Sequence, residues 1–331
     1  MTVTIGRREL LAAVGGAAAA WPLAARAQQP AMPVIGLLST RSPVTDAPLT
    51  ALFRQALRET GFVDDRNVVI DYRWADGQYD RLPALVADLV QRQVAVIVTI
   101  GGNPSALTAK AATATIPIVF MTGSDPVRSG LVSSLHRPGG NITGVGALLE
   151  ELEPKRLELL RELRPNANTI AVLVNPKYPD AESQVNDIQS AARGFGQEIV
   201  VLNASTVRDI GAAFATLSQM RADALLVATD AFFFTRVQQF VVLTARHAIP
   251  TIFWRREFAT AGGLMSYGTN IDEVYRLAAV YAGRILKGEK PSDLPIQLST
   301  KFELVINLTM VRALGLQLPP TLLARADEVI E

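Results

Sequence analysis

"AATATIPIVF" (residues 111–120) and "TARHAIPTIF" (residues 244–253) decide the fold of this chain. Each is an Ala-rich helix end that runs into Ile-Pro and then into β-favouring residues. Each follows a strand and a helix, and the two copies lie 133 residues apart. Proline ends a helix because it has no N–H and clashes with the preceding turn, yet it is tolerated where a strand begins. Two readings follow: a common helix-to-strand punctuation used twice, or one α/β unit present twice.

The flanking sequence favours the repeated unit. Before the first copy stand the apolar runs "PVIGLLS" from Pro33, "NVVIDYRW" from Asn67 and "VAVIVTI" from Val94. Before the second stand "TIAVLVN" from Thr169, "EIVVLNA" from Glu198 and "ADALLVATD" from Ala222. Short, nearly continuous apolar strands indicate parallel sheets covered on both faces by helices. Segments such as "APLTALFRQALRETG" (47–61) carry the helical period, with Gly61 as a C-terminal cap. The fold class expected is α/β, with two doubly wound parallel-sheet lobes. "HRPGGNITGVG" (136–146) has the turn chemistry of a chain crossing between lobes. "GGLMSYGTN" (262–270) leads into a helix whose stripe is Val274, Leu277, Ala278, Tyr281 and Ile285.

Composition narrows the function. With 49% apolar and 19% charged residues the chain is globular in character. The absence of cysteine removes disulfides, thiol nucleophiles and thiolate metal ligands together. The start, "GRRELLAAVGGAAAAWPLAARAQQP" (6–30), reads as an export leader: Arg7 and Arg8, a weakly apolar Ala/Gly-rich stretch, and Ala25-Arg26-Ala27 as cleavage site. Paired arginines at this place resemble the twin-arginine signal. An ordinary secretory signal or a chance basic N-terminus are the alternatives. Losing residues 1–27 removes three Arg and one Glu, taking the formal charge from +1 to −1. Such a chain offers no electrostatic footprint for nucleic acid, and without an acylated Cys it has no membrane anchor. A soluble periplasmic protein is expected.

Enzyme readings find little support. No phosphate loop, no G-x-G-x-x-G after the first strand and no G-x-S-x-G elbow is present. His136 and His247 are isolated and read as surface or capping groups. No clustered carboxylates have metal-ligand spacing. No catalytic residue, metal or cofactor is expected.

"TIPIVFMTGSDPVRSGLVSSLHRPGGNITGV" (115–145), "GGLMSYGTN" (262–270), "RILKGEKPSDLPIQLSTKFELVINL" (284–308) and "LGLQLPPTLLARADEVIE" (314–331) resemble the ABC-transporter substrate-binding family that includes tryptophan-binding-like lipoproteins. The resemblance covers essentially all of the mature chain. It implies a type I periplasmic-binding-protein architecture, two lobes joined by three crossovers and closing on a ligand. Lobe 1 would be 33–145 plus 268–293, and lobe 2 would be 146–267 plus 294–331. The partners implied are a small-molecule ligand and an ABC permease/ATPase complex, with the binding protein a monomer. Many relatives carry a lipidated Cys that this chain lacks, which alters anchoring and leaves the site untouched. A sensor reporting to a membrane receptor, a repressor's effector domain and an exported hydrolase are the other readings. The leader and the lack of a basic helix-turn-helix segment oppose the repressor.

In open parallel sheets ligands bind beyond the carboxyl ends of the strands. The residues following each apolar run are therefore the candidates: Ser39, Thr40, Gly102, Asn103, Ser124, Asp125, Asn175, Tyr178, Asp230, Trp254 and Tyr267. In "TIGGNPSA" two glycines allow close backbone approach, and Asn103-Pro104 opens a helix whose N–H groups would hold an anion or would simply be capped by Asn103. Asp125 reads first as a cap. Asp230 ends an apolar strand and either caps the next helix or meets a ligand ammonium. Were the ligand a zwitterion, as the resemblance suggests, the N–H groups after Gly102 and Asn103 would take its carboxylate and Asp230 its ammonium.

Overall fold

The computed structural model describes residues 32–331, so the expected leader at 1–27 lies outside the described residues. The first sheet is built from β1 (Val34–Ser39), β2 (Val69–Trp74), β3 (Val96–Ile100), β4 (Ile118–Thr122) and β5 (Ile142–Gly146). The helices between them are α1 (Pro43–Glu59), α2 (Leu82–Gln91) and α3 (Asn103–Ala112). The second sheet uses β6 (Thr169–Val174), β7 (Glu198–Asn203), β8 (Ala224–Val227), β9 (Thr251–Phe253) and β10 (Met265–Thr269). Its helices are α4 (Glu153–Leu163), α5 (Ala181–Gly194), α6 (Val207–Met220), α7 (Ala231–Phe234), α8 (Val237–Arg246) and α9 (Arg256–Thr260). Then come α10 (Ile271–Leu286), β11 (Gln297–Leu298), β12 (Phe302–Asn307) and β13 (Glu328–Ile330).

The strand orders are β2-β1-β3-β4-β5-β11 and β7-β6-β8-β9-β10-β12-β13. Both follow the doubly wound 2-1-3-4-5 pattern, so the repeated unit seen in the sequence is a repeated lobe. The two Ile-Pro motifs land at equivalent places. Pro117 accepts a hydrogen bond from the Ile97 N–H at 2.8 Å, and Pro250 accepts one from the Leu225 N–H at 2.8 Å. Proline suits this register because the first residue of a strand can serve its neighbour through the carbonyl alone. All pairings are parallel except β10 with β12, which run antiparallel.

Helix ends are fixed locally. Ser42 and Thr45 form a capping box at the start of α1, and Pro43 occupies its first turn. Gly61, at φ +98°, follows the Thr60 cap and lets its own N–H reach the Arg58 carbonyl at 2.9 Å.

The chain passes between lobes three times. The passages run through 147–152, at Asn270, and through 299–301, and they are laced together. The Ser299 N–H donates to the Gly146 carbonyl at 2.8 Å and the Asn270 N–H to the Lys301 carbonyl at 3.0 Å. The helix α10 packs on α1 of the first lobe. The expected boundary between 293 and 294 comes too early. β11 pairs in parallel with β5, and the Ile296 N–H donates to the Leu135 carbonyl at 2.7 Å, so the chain stays in the first lobe through Leu298. The pair of residues in β11 is too short a run to register as a strand in the sequence. Likewise β10 belongs to the second sheet through Thr269, slightly beyond the expected 267.

Candidate functional site

The switch points of both sheets face a cavity containing about 580 Å³ of space free of protein atoms, its mouth included. The first lobe contributes Arg41 after β1, Ile100 to Gly102 after β3, Met121 to Gly123 at the end of β4, and Ile271, Val274 and Tyr275 from α10. The second contributes Tyr178 after β6, Thr229 to Ala231 after β8, Phe234, and Trp254 and Arg255 after β9. Ala147 and Leu149 of the first crossover complete the wall.

Backbone geometry opens the first lobe to a ligand. Gly101 and Gly102 have φ of +90° and +98°, and a Cβ on Gly101 would collide with the Thr40 hydroxyl. Only glycine holds both features without strain. Gly102 is the N-cap of α3 and makes no side-chain capping bond, which leaves the positive end of the helix at the cavity. Asn103 lies one residue inside the helix and does not cap it, contrary to one of the two readings from the sequence. Its amide bridges elsewhere: Oδ1 accepts from the Thr122 hydroxyl, and Nδ2 donates to Ser124 and, at 2.5 Å, to Asp180 of the second lobe.

Asp230 caps a helix and is also a residue of the cavity wall. Its Oδ1 caps α7 by accepting from the Phe233 N–H at 2.9 Å, and the residue lines the cavity. Its Oδ2 accepts from Asn175 Nδ2 at 3.2 Å and from the Tyr79 hydroxyl of the first lobe at 2.5 Å. Burial pushes its carboxyl pKa up, opposed by these hydrogen bonds. Tyr178 donates to the buried Glu150 at 2.5 Å. Burial, with Asp180 nearby, raises the Glu150 pKa well above the carboxylate range.

Of the residues expected from the sequence, Gly102, Tyr178, Asp230 and Trp254 line the cavity. The remainder sit behind or beside that wall. Ser39 donates to Asp46 at 2.9 Å, and the Thr40 hydroxyl donates to the Gly101 carbonyl at 3.0 Å. Ser124 meets Asn103, and Asn175 holds Asp230. Asp125 accepts from the Val127 and Arg128 N–H groups at 2.7 and 3.1 Å, but it opens a turn and caps no helix, contrary to its first reading. Tyr267 is turned away toward Phe302, with ring centroids 6.4 Å apart. Alternation along β10 explains this: successive side chains point to opposite faces.

Sequence reasoning missed Arg41, Arg255 and Tyr275. Both arginines stand one residue past an expected position, in "STR" (39–41) and "FWR" (253–255). Reading each strand end one residue further would have found them. Tyr275 lies beside the α10 stripe, where periodicity alone does not distinguish a core face from a cavity wall. Arg41 Nε lies 3.1 Å from the Asp46 carboxylate and Nη2 donates to the Tyr275 hydroxyl at 2.7 Å. Arg255 pairs with Glu257, Nε to Oε2 being 3.0 Å. Both guanidinium groups stack on Phe234, with Cζ 5.2 and 4.1 Å from the ring centroid. Among the described residues there is no group of metal-ligating side chains.

A cavity between two doubly wound lobes, at the carboxyl ends of their strands, is the place where such a fold holds a small solute. The family model of ABC transporter substrate binding proteins matches residues 48–330, and the chain belongs to that family. It is a transporter's solute-binding component and not an enzyme. A tyrosine-binding protein of Clostridioides difficile is 29% identical over 265 residues, covering 80% of this chain and 76% of that protein. A conserved domain protein from Vibrio cholerae superposes with a TM-score of 0.82 at 26% identity, covering 90% of this chain and 99% of that one. An ABC domain from Streptococcus pneumoniae in complex with L-Trp gives 0.80 at 24% identity, and a ligand-free, open substrate binding protein from Clostridium difficile gives 0.63 at 26%. Both cover 90% of this chain and 99% of theirs.

Proposed function

We propose that this chain is a periplasmic receptor for an α-amino acid with a large apolar side chain, which it hands to an ABC permease/ATPase complex. The observation that carries this reading is the composition of the cavity wall. Met121, Leu149, Phe234, Trp254, Ile271 and Val274 supply apolar surface, while one carboxylate, Asp230, and one uncapped helix N-terminus, at Gly102, supply opposite polarities. An ammonium and a carboxylate on one carbon satisfy that pair, and the apolar remainder satisfies the wall. The names of the relatives above, which refer to tyrosine and tryptophan, support the same class. No helix among the described residues is long and apolar enough to cross a membrane. The leader read from residues 1–27 supports export, and the receptor acts as a monomer. Closure follows because the carboxylate is met by the first lobe and the ammonium by the second, so only the closed state satisfies both.

Titration calorimetry with L-tryptophan, L-tyrosine and L-phenylalanine tests the reading, each beside its deaminated 3-arylpropionate. Asp230→Asn should weaken amino-acid binding by roughly tenfold to a hundredfold, since a charge-assisted hydrogen bond contributes about 1.5–3 kcal/mol. It should leave the 3-arylpropionates nearly unchanged. Equal losses for both series would make Asp230 a structural cap only.

A further inference from the structure

We infer that Arg156 is a positioning residue for solute binding: one buried guanidinium ties the first crossover and β10 to the strand end that carries Asp230, and so holds that carboxylate where an ammonium meets it. The inference deepens the amino-acid reading above and rests on it. Arg156 stands in the first turn of α4, directly after the crossover at 147–152, and is wholly enclosed. Its Nη2 donates to the Leu149 carbonyl of that crossover at 2.8 Å and to the Thr229 hydroxyl at 3.0 Å. Its Nη1 donates at 3.2 Å to the carbonyl of Tyr267, in the strand that leads into the crossover at Asn270. Leu149 and Thr229 are both residues of the cavity wall, and Asp230 follows Thr229 directly.

Stability alone gives little reason for an arginine at this place. A cation in the first turn opposes the helix dipole, and a buried ion pair such as Arg156 with Glu153 can often be replaced by apolar side chains at no loss. What the planar fork supplies is N–H groups in fixed directions, which here meet oxygens from three separate segments. The Leu149–Glu150 peptide link bridges the lobes. Arg156 holds its carbonyl, while its N–H donates to the Gly123 carbonyl of the first lobe at 3.1 Å. Thr229 is held at every polar atom: its N–H donates to Glu153 at 2.9 Å, its hydroxyl accepts from Arg156, and its carbonyl accepts from Gln184 at 2.7 Å. The start of α7, and with it Asp230, therefore has its place set by α4 on one side and by the crossover on the other. Without the guanidinium, Thr229 loses its link to the crossover, and the Asp230 carboxylate shifts relative to the helix N-terminus at Gly102.

Calorimetry with L-tyrosine and L-tryptophan, each beside its deaminated 3-arylpropionate, tests the inference on wild type, on Arg156→Lys and on the double variant Glu153→Gln/Arg156→Met. The double variant removes the guanidinium without leaving a buried carboxylate unpaired, and the amide it introduces still accepts from the Thr229 N–H. Wild type should prefer the amino acids by roughly tenfold to a hundredfold, the contribution of the ammonium. Both variants should lower that preference at least about fivefold, as members of one hydrogen-bond network are coupled, while the 3-arylpropionates stay within about threefold of wild type. The lysine keeps the charge and loses the fork, so it should not restore the preference. A role confined to folding lowers the active fraction for both ligands alike and leaves the ratio of their affinities unchanged. A double variant that keeps the wild-type preference within about twofold would overturn the inference. A wild-type preference kept by Arg156→Lys alone would overturn the claim that the directed bonds, and not the charge, do the positioning. Wild type that binds neither series, or both equally, would overturn the ammonium reading itself.

Discussion

Gly101 shows how a single residue sets the site. Its φ of +90° turns the chain so that β3 ends directly at the cavity, and the Thr40 hydroxyl fills the place a Cβ would take while donating to the Gly101 carbonyl. Gly101→Ala meets two obstacles at once. A left-handed backbone costs a non-glycine residue about 1–2 kcal/mol, and displacing buried Thr40 adds a packing penalty of about 1–3 kcal/mol. We expect a loss of roughly 2–5 kcal/mol in urea denaturation together with weakened solute binding. A loss below about 1 kcal/mol would show that Thr40 yields freely. At this scale legibility was uneven. "TIGGNPSA" disclosed the glycines because they punctuate a strand end, and Asp230 disclosed itself as a carboxylate closing an apolar run. Asn103, Ser124 and Asn175 have the same polar character and equivalent strand-end positions, yet they point into hydrogen-bond networks behind the wall. The direction of a side chain at a strand end depends on the turn that follows it, and residue type does not encode that turn.

At the scale of elements, the doubly wound rhythm was plain because parallel strands buried on both faces leave nearly unbroken apolar runs. Short elements divided: β11, held by its partner β5 and not by its own propensity, stayed hidden, whereas α7 was legible as the helix that Asp230 would cap. The helix α4 carries a buried pair with a pH consequence. Glu153 and Arg156 are fully buried and 3.4 Å apart, and the Glu153 carboxylate also accepts from the Thr229 N–H at 2.9 Å. Burial outweighs these partners and raises the Glu153 pKa from 4.5 to about 7. Between those values the unfolded chain has released the proton and the folded one retains it. The contribution of Glu153 to stability is therefore fully present below pH about 4.5 and declines as pH rises to about 7, by at most about 1.4 kcal/mol per unit. Glu153→Gln removes this dependence. Denaturation at a series of pH values should show a shallower fall for the variant over that window. Parallel curves would mean that Arg156 keeps Glu153 ionised throughout.

On the scale of the whole molecule, the lobes touch through side chains that need no ligand. Tyr79 of the first lobe donates to Asp230 of the second, Asn103 donates to Asp180, and Arg128 reaches Asp187 at 2.7 Å. The Arg128 pair is exposed and contributes about 0–1 kcal/mol. Tyr79 is different, because its hydroxyl meets a buried carboxylate, a bond worth roughly 1.5–3 kcal/mol. Three crossovers laced at 147–152, Asn270 and 299–301 allow the lobes to part without unfolding either, so such bonds set the balance between open and closed. A ligand shifts that balance only by its preference for the closed state, and its apparent affinity scales with the fraction of protein able to close. Tyr79→Phe removes this bond, and Tyr79 itself does not line the cavity. The variant should weaken the closing equilibrium by roughly tenfold or more, from the lost bond. Small-angle scattering should then find ligand-free Tyr79→Phe more expanded than ligand-free wild type, and both equally compact at saturating amino acid. The second measurement matters because a merely destabilised protein would stay expanded when saturated. Equal dimensions without ligand would mean that the hinge, and not the Tyr79–Asp230 contact, holds the lobes together.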